Sequence, residues 1–184
     1  MESITKQNRN QKRHKMYKDV YGDMHFEPID VAHKIVINSI NSPFYTIKEE
    51  YTNKLNTQIH IYDNKNDRVS LNMRPGLYSI YTDDESQCLY VGQTGYSIHQ
   101  RVYRFDKEAK GKSRHDESHP AASKARQDGI ESLDGMKIKF IDTYDIIQSV
   151  LKLDPNYQYA FGDVELDVYV AKILKSKYNT IVKE

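Results

Sequence analysis

Two tyrosine-bearing segments separated by a short acidic turn constrain this chain more than any other stretch. Leu77-Tyr78-Ser79-Ile80-Tyr81 and Cys88-Leu89-Tyr90-Val91 are compact runs rich in apolar and aromatic residues. Pro75-Gly76 launches the first, Thr82-Asp83-Asp84-Glu85-Ser86-Gln87 joins them, and Gly92 ends the second, which together predict an antiparallel hairpin. A helix follows, because Ile98, Val102, Phe105 and Ala109 fall on one apolar stripe with Arg101, Arg104 and Glu108 flanking it. His119-Pro120 opens another helix over Ala121 to Asp128, closed by Gly129. Met136, Ile138 and Phe140 alternate with Lys137 and Lys139, predicting a third strand with one wet face. Asp163 is placed to cap a helix running through Glu165 to about Lys175. The order strand, strand, helix, helix, strand, helix predicts an α/β fold of the α+β kind, a small antiparallel sheet of about three strands flanked by helices.

Upstream, residues 1 to 24 read as a flexible basic arm. Ile29, Ala32, Ile35, Val36 and Ile40 approximate helical spacing, and a second short helix is expected from about Ile47 to Leu55. Gln58 to Tyr62 and Arg68 to Met73 alternate around Asp63-Asn64-Lys65-Asn66-Asp67, a second hairpin signal. The expected division is therefore an extension over 1–70 and a main domain over 71–184.

With 184 residues, 38% of them hydrophobic and 15 of them tyrosine, the chain has the apolar content for one modest core. No apolar run suits a transmembrane helix or a secretory signal, so no membrane partner and a cytoplasmic setting are expected. Cys88 is the single cysteine, too few for an internal disulfide or a thiolate zinc site. The net charge of +1 hides segregation. Residues 1–18 hold six basic residues against one acid, residues 101–126 eight against four, and residues 127–167 three against nine. Basic blocks of this kind attract phosphate backbones, although a solvated terminus and a charged helix face are equally ordinary uses of them.

The motifs resemble the GIY-YIG endonucleases. Gly76-Leu77-Tyr78 stands where that family has Gly-Ile-Tyr, and Tyr90-Val91-Gly92 where it has Tyr-Ile-Gly, followed by the small polar turn Gln93-Thr94. Arg101 falls at the helix arginine, His119 at the histidine that opens the next helix, and Glu165 and Asn179 at the glutamate and terminal asparagine of the closing helix. The resemblance covers roughly residues 71 to 184, and five elements in order are more specific than any one tripeptide. It implies a metal-dependent nuclease acting on double-stranded DNA. The catalytic residues it implies are Tyr78, Tyr90, Arg101, His119 and Glu165, and the substrate contacts expected are Gly92, Arg104, Lys112, Arg114 and Asn179. Glu165 would hold one Mg²⁺ or Mn²⁺ per active site.

The residue types suit that chemistry. Phosphodiester hydrolysis needs an activated water, neutralisation of phosphoryl charge and help for the leaving oxygen. A single carboxylate can hold Mg²⁺, which keeps several waters, and Arg101 offers a planar fork for a phosphate. Tyr78 or Tyr90 would take the proton from water, provided its pKa falls from about 10 by roughly 2 units, about 3 kcal/mol. The family favours Tyr78, whereas the residues alone leave the choice open. Each residue also has an ordinary structural use: strand aromatics for the tyrosines, a first-turn helix acid for Glu165, a helix-end cap for Asn179 and a solvated charge for Arg101. Phe105 departs from the family, which commonly has His or Tyr there, so Tyr103, His115 or His119 must supply the missing polar group or it is absent. His115 and His119 lie four apart, but Pro120 leaves His115 in the preceding loop, against a zinc pair. The expectation is a compact restriction-like or phage-type nuclease, monomer or homodimer undecided, with residues 1–70 helping to grip DNA. The alternative is a DNA-binding module on the same fold that no longer cuts.

Overall fold

The computed structural model describes residues 28–40, 42–53, 56–112, 119–152 and 166–179. In chain order these form α1 (Pro28–Ile40), β1 (Tyr45–Asn53), β2 (Asn56–Tyr62), β3 (Arg68–Val69), β4 (Gly76–Tyr81), β5 (Cys88–Thr94), α2 (Ile98–Ala109), α3 (Pro120–Gln127), β6 (Lys137–Asp142), α4 (Thr143–Leu151) and α5 (Leu166–Ile173). The architecture is α+β, as expected, but the sheet has six strands rather than about three. All pairings are antiparallel, in the order β3-β2-β1-β6-β4-β5. The expected basic arm lies outside the described residues.

Of the three further strands, β2 and β3 form the upstream hairpin expected around Asp63 to Asp67, with β3 cut to two residues, while β1 occupies the segment where a short helix was expected over Ile47 to Leu55. Lys48-Glu49-Glu50 suits a helix locally, yet residues 46–53 pair with β2 along almost its whole length. Glu49 is also held from outside, by the Lys110 ammonium at 2.6 Å and by its own N–H donating to Asp134. Tertiary pairing overrides a weak helical preference here. The sheet runs across residue 70, because β6 inserts between β1 and β4.

The central hairpin forms as expected, in the register Tyr78↔Gly92 and Ile80↔Tyr90. Gly92 lies inside β5 rather than ending it, since its pairing with Tyr78 continues to Thr94. β6 also differs from expectation. Its supposedly wet face carries Lys139, which is buried with its ammonium 4.2 Å from the centre of the Phe44 ring. Alternation puts two cores on the two faces of the sheet. One gathers Tyr78, Ile80, Ile138, Ile47 and Ile59 under the α2 stripe Ile98, Val102 and Phe105 and the α3 alanines. The other gathers Leu77, Val91 and Cys88 under α1, α4 and α5.

α2 begins with the Ser97 side chain accepting from the Gln100 N–H, and Gly129 (φ +89°) ends the turn that follows α3. The outer edge of β5 is covered by the segment after α5. Lys177 and Tyr178 N–H groups donate to the Cys88 and Leu89 carbonyls. That protects the edge from pairing with another chain. Among the described residues, no helix is long and apolar enough to cross a membrane.

Candidate active site

Tyr78 and Tyr90 meet because the strand register stacks their positions. Both point from β4 and β5 to the face under α2, on either side of Gly92, with ring centroids 6.1 Å apart. A Cβ on Gly92 would stand 2.6 Å from the Tyr78 Cζ and Oη and 2.8 Å from the Tyr90 Cε1. The glycine is thus the floor on which the two phenols lie, a role of bare space rather than of backbone angle.

Around this pair the neighbouring helices close a ring. Phe105 of α2 lies 5.2 Å from the Tyr90 ring, and His119 packs edge-on to Tyr90 at 5.0 Å and to Phe105 at 5.1 Å. His119 is the N-cap of α3, its Nδ1 accepting from the Ala122 N–H at 3.4 Å, with Pro120 in the first turn. That bond places the proton of the neutral ring on Nε2. Burial and then the Arg101 charge press its pKa down to about 4, so the ring is neutral near pH 7. Of the residues that could replace the polar group missing at Phe105, His119 touches Phe105, while Tyr103 lies under the Lys107 ammonium at 4.8 Å. His115 lies outside the described residues.

The electrostatics of the phenols run opposite to what a free-standing base needs. Burial drives Tyr78 well above its ordinary value and drives Tyr90 up to about 12. The hydroxyls share a hydrogen bond that opposes ionisation of Tyr78 and assists that of Tyr90. Arg101, exposed on α2, pulls both down, and Asp167 in the first turn of α5 pushes both up. Arg101 therefore acts on Tyr78, Tyr90 and His119 together.

The structure brings together Tyr78, Tyr90, Gly92, Arg101 and His119 of the expected residues. Arg104 lies one turn along α2 from Arg101, exposed on the same helix. Lys112 lies past the other end of α2, where its charge acts on Glu49. Asn179 is next to β5, but its amide serves the fold. Its Oδ1 accepts from the Val91 N–H and its Nδ2 donates to the Val91 carbonyl, both at 2.7 Å. Glu165 and Arg114 lie outside the described residues. Asp167 is the functional candidate that sequence reasoning missed. Its signal was a second acid two positions after Glu165, easily absorbed as one more helix-start charge.

Among the described residues no group of three His, Cys, Asp or Glu side chains is arranged to hold a metal ion. What lies at the phenols is a set of oxygen donors, two hydroxyls with the Asp167 carboxylate in electrostatic reach. Phenols that stay protonated are weak ligands, so a hard cation here would need a carboxylate, and Asp167 is one in electrostatic reach. Compared with family models, curated proteins and solved structures, the chain matched none.

Proposed function

We propose that the chain is a GIY-YIG-type endonuclease that hydrolyses a phosphodiester of double-stranded DNA with a metal-activated water. The observation that carries the reading is convergence. Tyr78, Tyr90, Gly92, Arg101 and His119, spread over 42 positions of sequence, meet at one end of the β4–β5 hairpin. Tyr78, Tyr90 and Gly92 are neighbours by hairpin register alone, so the support lies in Arg101 of α2 and His119 at the start of α3 reaching the same pair.

In this reading Tyr90 is the base and Tyr78 its support, the reverse of the family expectation. Tyr78 is fully enclosed and donates, while Tyr90 receives that bond and is the more open of the two. The attacking water gives its proton to the Tyr90 phenolate, its oxygen bonds phosphorus, and the bond to the departing sugar oxygen breaks. Arg101 meets the phosphoryl oxygens and stabilises the charge that grows there. His119 keeps its Nε2–H as a neutral donor at the phenol ring. Glu165 would hold the Mg²⁺ or Mn²⁺, with Asp167 two residues away, and the bound ion supplies Lewis acidity at phosphate and water. The pull of Arg101 is already felt by a Tyr90 that titrates at about 12, so the further roughly 5 kcal/mol of differential stabilisation needed to approach the neutral range would have to come from a bound cation.

The test is nicking of a supercoiled plasmid by the full chain with Mg²⁺, with Glu165→Ala as the control. Conversion by wild type, its loss in Glu165→Ala, and a rate that climbs with pH toward 9 are the expected results. A second reading, a module that binds DNA without cutting, is favoured by one observation. Phe105, 1% exposed, fills with carbon the position where a polar group would assist. Salt-sensitive DNA binding with no cleavage of any substrate would select it.

A further inference from the structure

Two loops that lead into the site-bearing elements β4 and α2 carry exposed apolar side chains. Tyr96, in the turn from β5 to α2, is 57% exposed, and Met73, in the loop before β4, is 72% exposed. The loops are one unit: the Ile98 N–H donates to the Arg74 carbonyl at 3.0 Å, the His99 N–H to the Leu71 carbonyl at 3.3 Å, and the Ser97 hydroxyl to the same carbonyl at 3.5 Å. Met73 is held at φ +54°, a left-handed conformation that a side-chain-bearing residue adopts at a cost. Tyr96 is presented by a short rigid turn, its N–H donating to the Thr94 Oγ1 at 3.2 Å. It lies four positions from Gly92, at most about 13 Å of extended chain, so within about two nucleotides of it. Beside it the exposed face of α2 begins with Gln100, Arg101 and Arg104, which bring positive charge and no acid.

A large aromatic face set in a positive surroundings is the pairing that unstacked nucleobases seek, because every base has a π face and every nucleotide a phosphate. Apolar side chains such as methionine serve as wedges that open a base step. We infer that Tyr96, supported by Met73 on the adjoining loop, is a base-stacking platform, and that the preferred substrate carries an unstacked base within about two nucleotides of the scissile phosphate. This rests on the nuclease reading of the site and narrows its substrate to DNA that is bulged or readily opened there.

The experiment uses the full chain in EDTA, where binding is read without cleavage. The probes are a duplex with one bulged 2-aminopurine and a fully paired duplex of the same sequence. Wild type should prefer the bulged duplex and change its fluorescence. Tyr96→Ala should weaken bulge binding roughly 5- to 150-fold, with Tyr96→Phe close to wild type and paired-duplex binding little changed. Equal bulge affinity for wild type and Tyr96→Ala, with duplex binding intact, overturns the inference and leaves the nuclease reading standing. Loss of concentration-dependent self-association in Tyr96→Ala, with DNA affinities unchanged, overturns it in favour of a protein contact. Absence of any DNA binding removes both.

Discussion

The two ends of α2 put cations to opposite uses. At the C-terminal end Lys110 is almost enclosed, its ammonium 2.6 Å from both Asp106 and Glu49. At the N-terminal end Arg101 stands exposed, in ion-pair contact with no carboxylate among the described residues. The helix dipole sharpens the contrast. A cation is welcome near the C-terminus and unwelcome near the first turn. Lys110 stabilises the fold where it stands, and Arg101 sits where helix stability alone would not put it. Among the described residues, the charge left without an ion-pair contact is the one beside the tyrosine pair.

Breaking the structural end should have the larger effect on stability. Asp106 is 2% exposed, and besides Lys110 it accepts from the Leu133 N–H at 2.9 Å, tying the loop before β6 to the helix. Removing one partner of a buried pair costs about 3 to 5 kcal/mol, because the other charge and its donors remain. Asp106→Ala should therefore lower the denaturant midpoint by that equivalent. A shift below about 1 kcal/mol would mean that this end is no more structural than the other.

Arg101→Ala is the converse. Its stability should stay within about 0.5 kcal/mol of wild type, as for a surface change. If the site cuts DNA, cleavage should fall about 10²- to 10³-fold, the scale seen when one donor to a transition-state oxyanion is removed. Single-turnover rates with DNA in excess of its dissociation constant separate this from weaker binding. A loss of stability as large as that of Asp106→Ala would erase the distinction between the ends.

The same contrast explains what could be read in advance. The β4–β5 hairpin and α2 were legible because period-two and helical apolar spacing are local signals, and Ile98, Val102, Phe105 and Ala109 are all buried as the stripe required. β1 was not, since Lys48-Glu49-Glu50 makes strand sense only once Lys110 and β2 are in place. Lys139 read as part of a wet strand face, and nothing local marks Asp106 as buried, because burial of a polar group depends on partners far away in sequence. At the site, five of the residues named from the motifs, Tyr78, Tyr90, Gly92, Arg101 and His119, lie together, but the motifs did not tell what each side chain does. Asn179 reads as a substrate contact until its amide is seen on the Val91 backbone. The tyrosines read as two equal bases until their packing separates them.

Acid titration gives the smallest and most selective test of the comparison, because the two ends answer in different pH windows. The pKa of His119 is about 4 in the fold and about 6.5 when unfolded. The unfolded chain therefore binds the extra proton first, and stability from the neutral ring, complete above pH 6.5, is lost as pH falls toward 4. Glu49, whose carboxylate Lys110 holds below its ordinary value against the opposing cost of burial, contributes stability above pH 4.5 and loses it only below that. His119→Asn retains a good N-cap but no ring to protonate. Between pH 7 and 4.5 wild type should lose about 2 kcal/mol more than this variant, measured by urea unfolding, while below pH 4.5 the two curves should fall together as the Glu49 end titrates. Parallel curves across the upper window would show that His119 is solvated, and that the aromatic ring around Tyr90 is open to water.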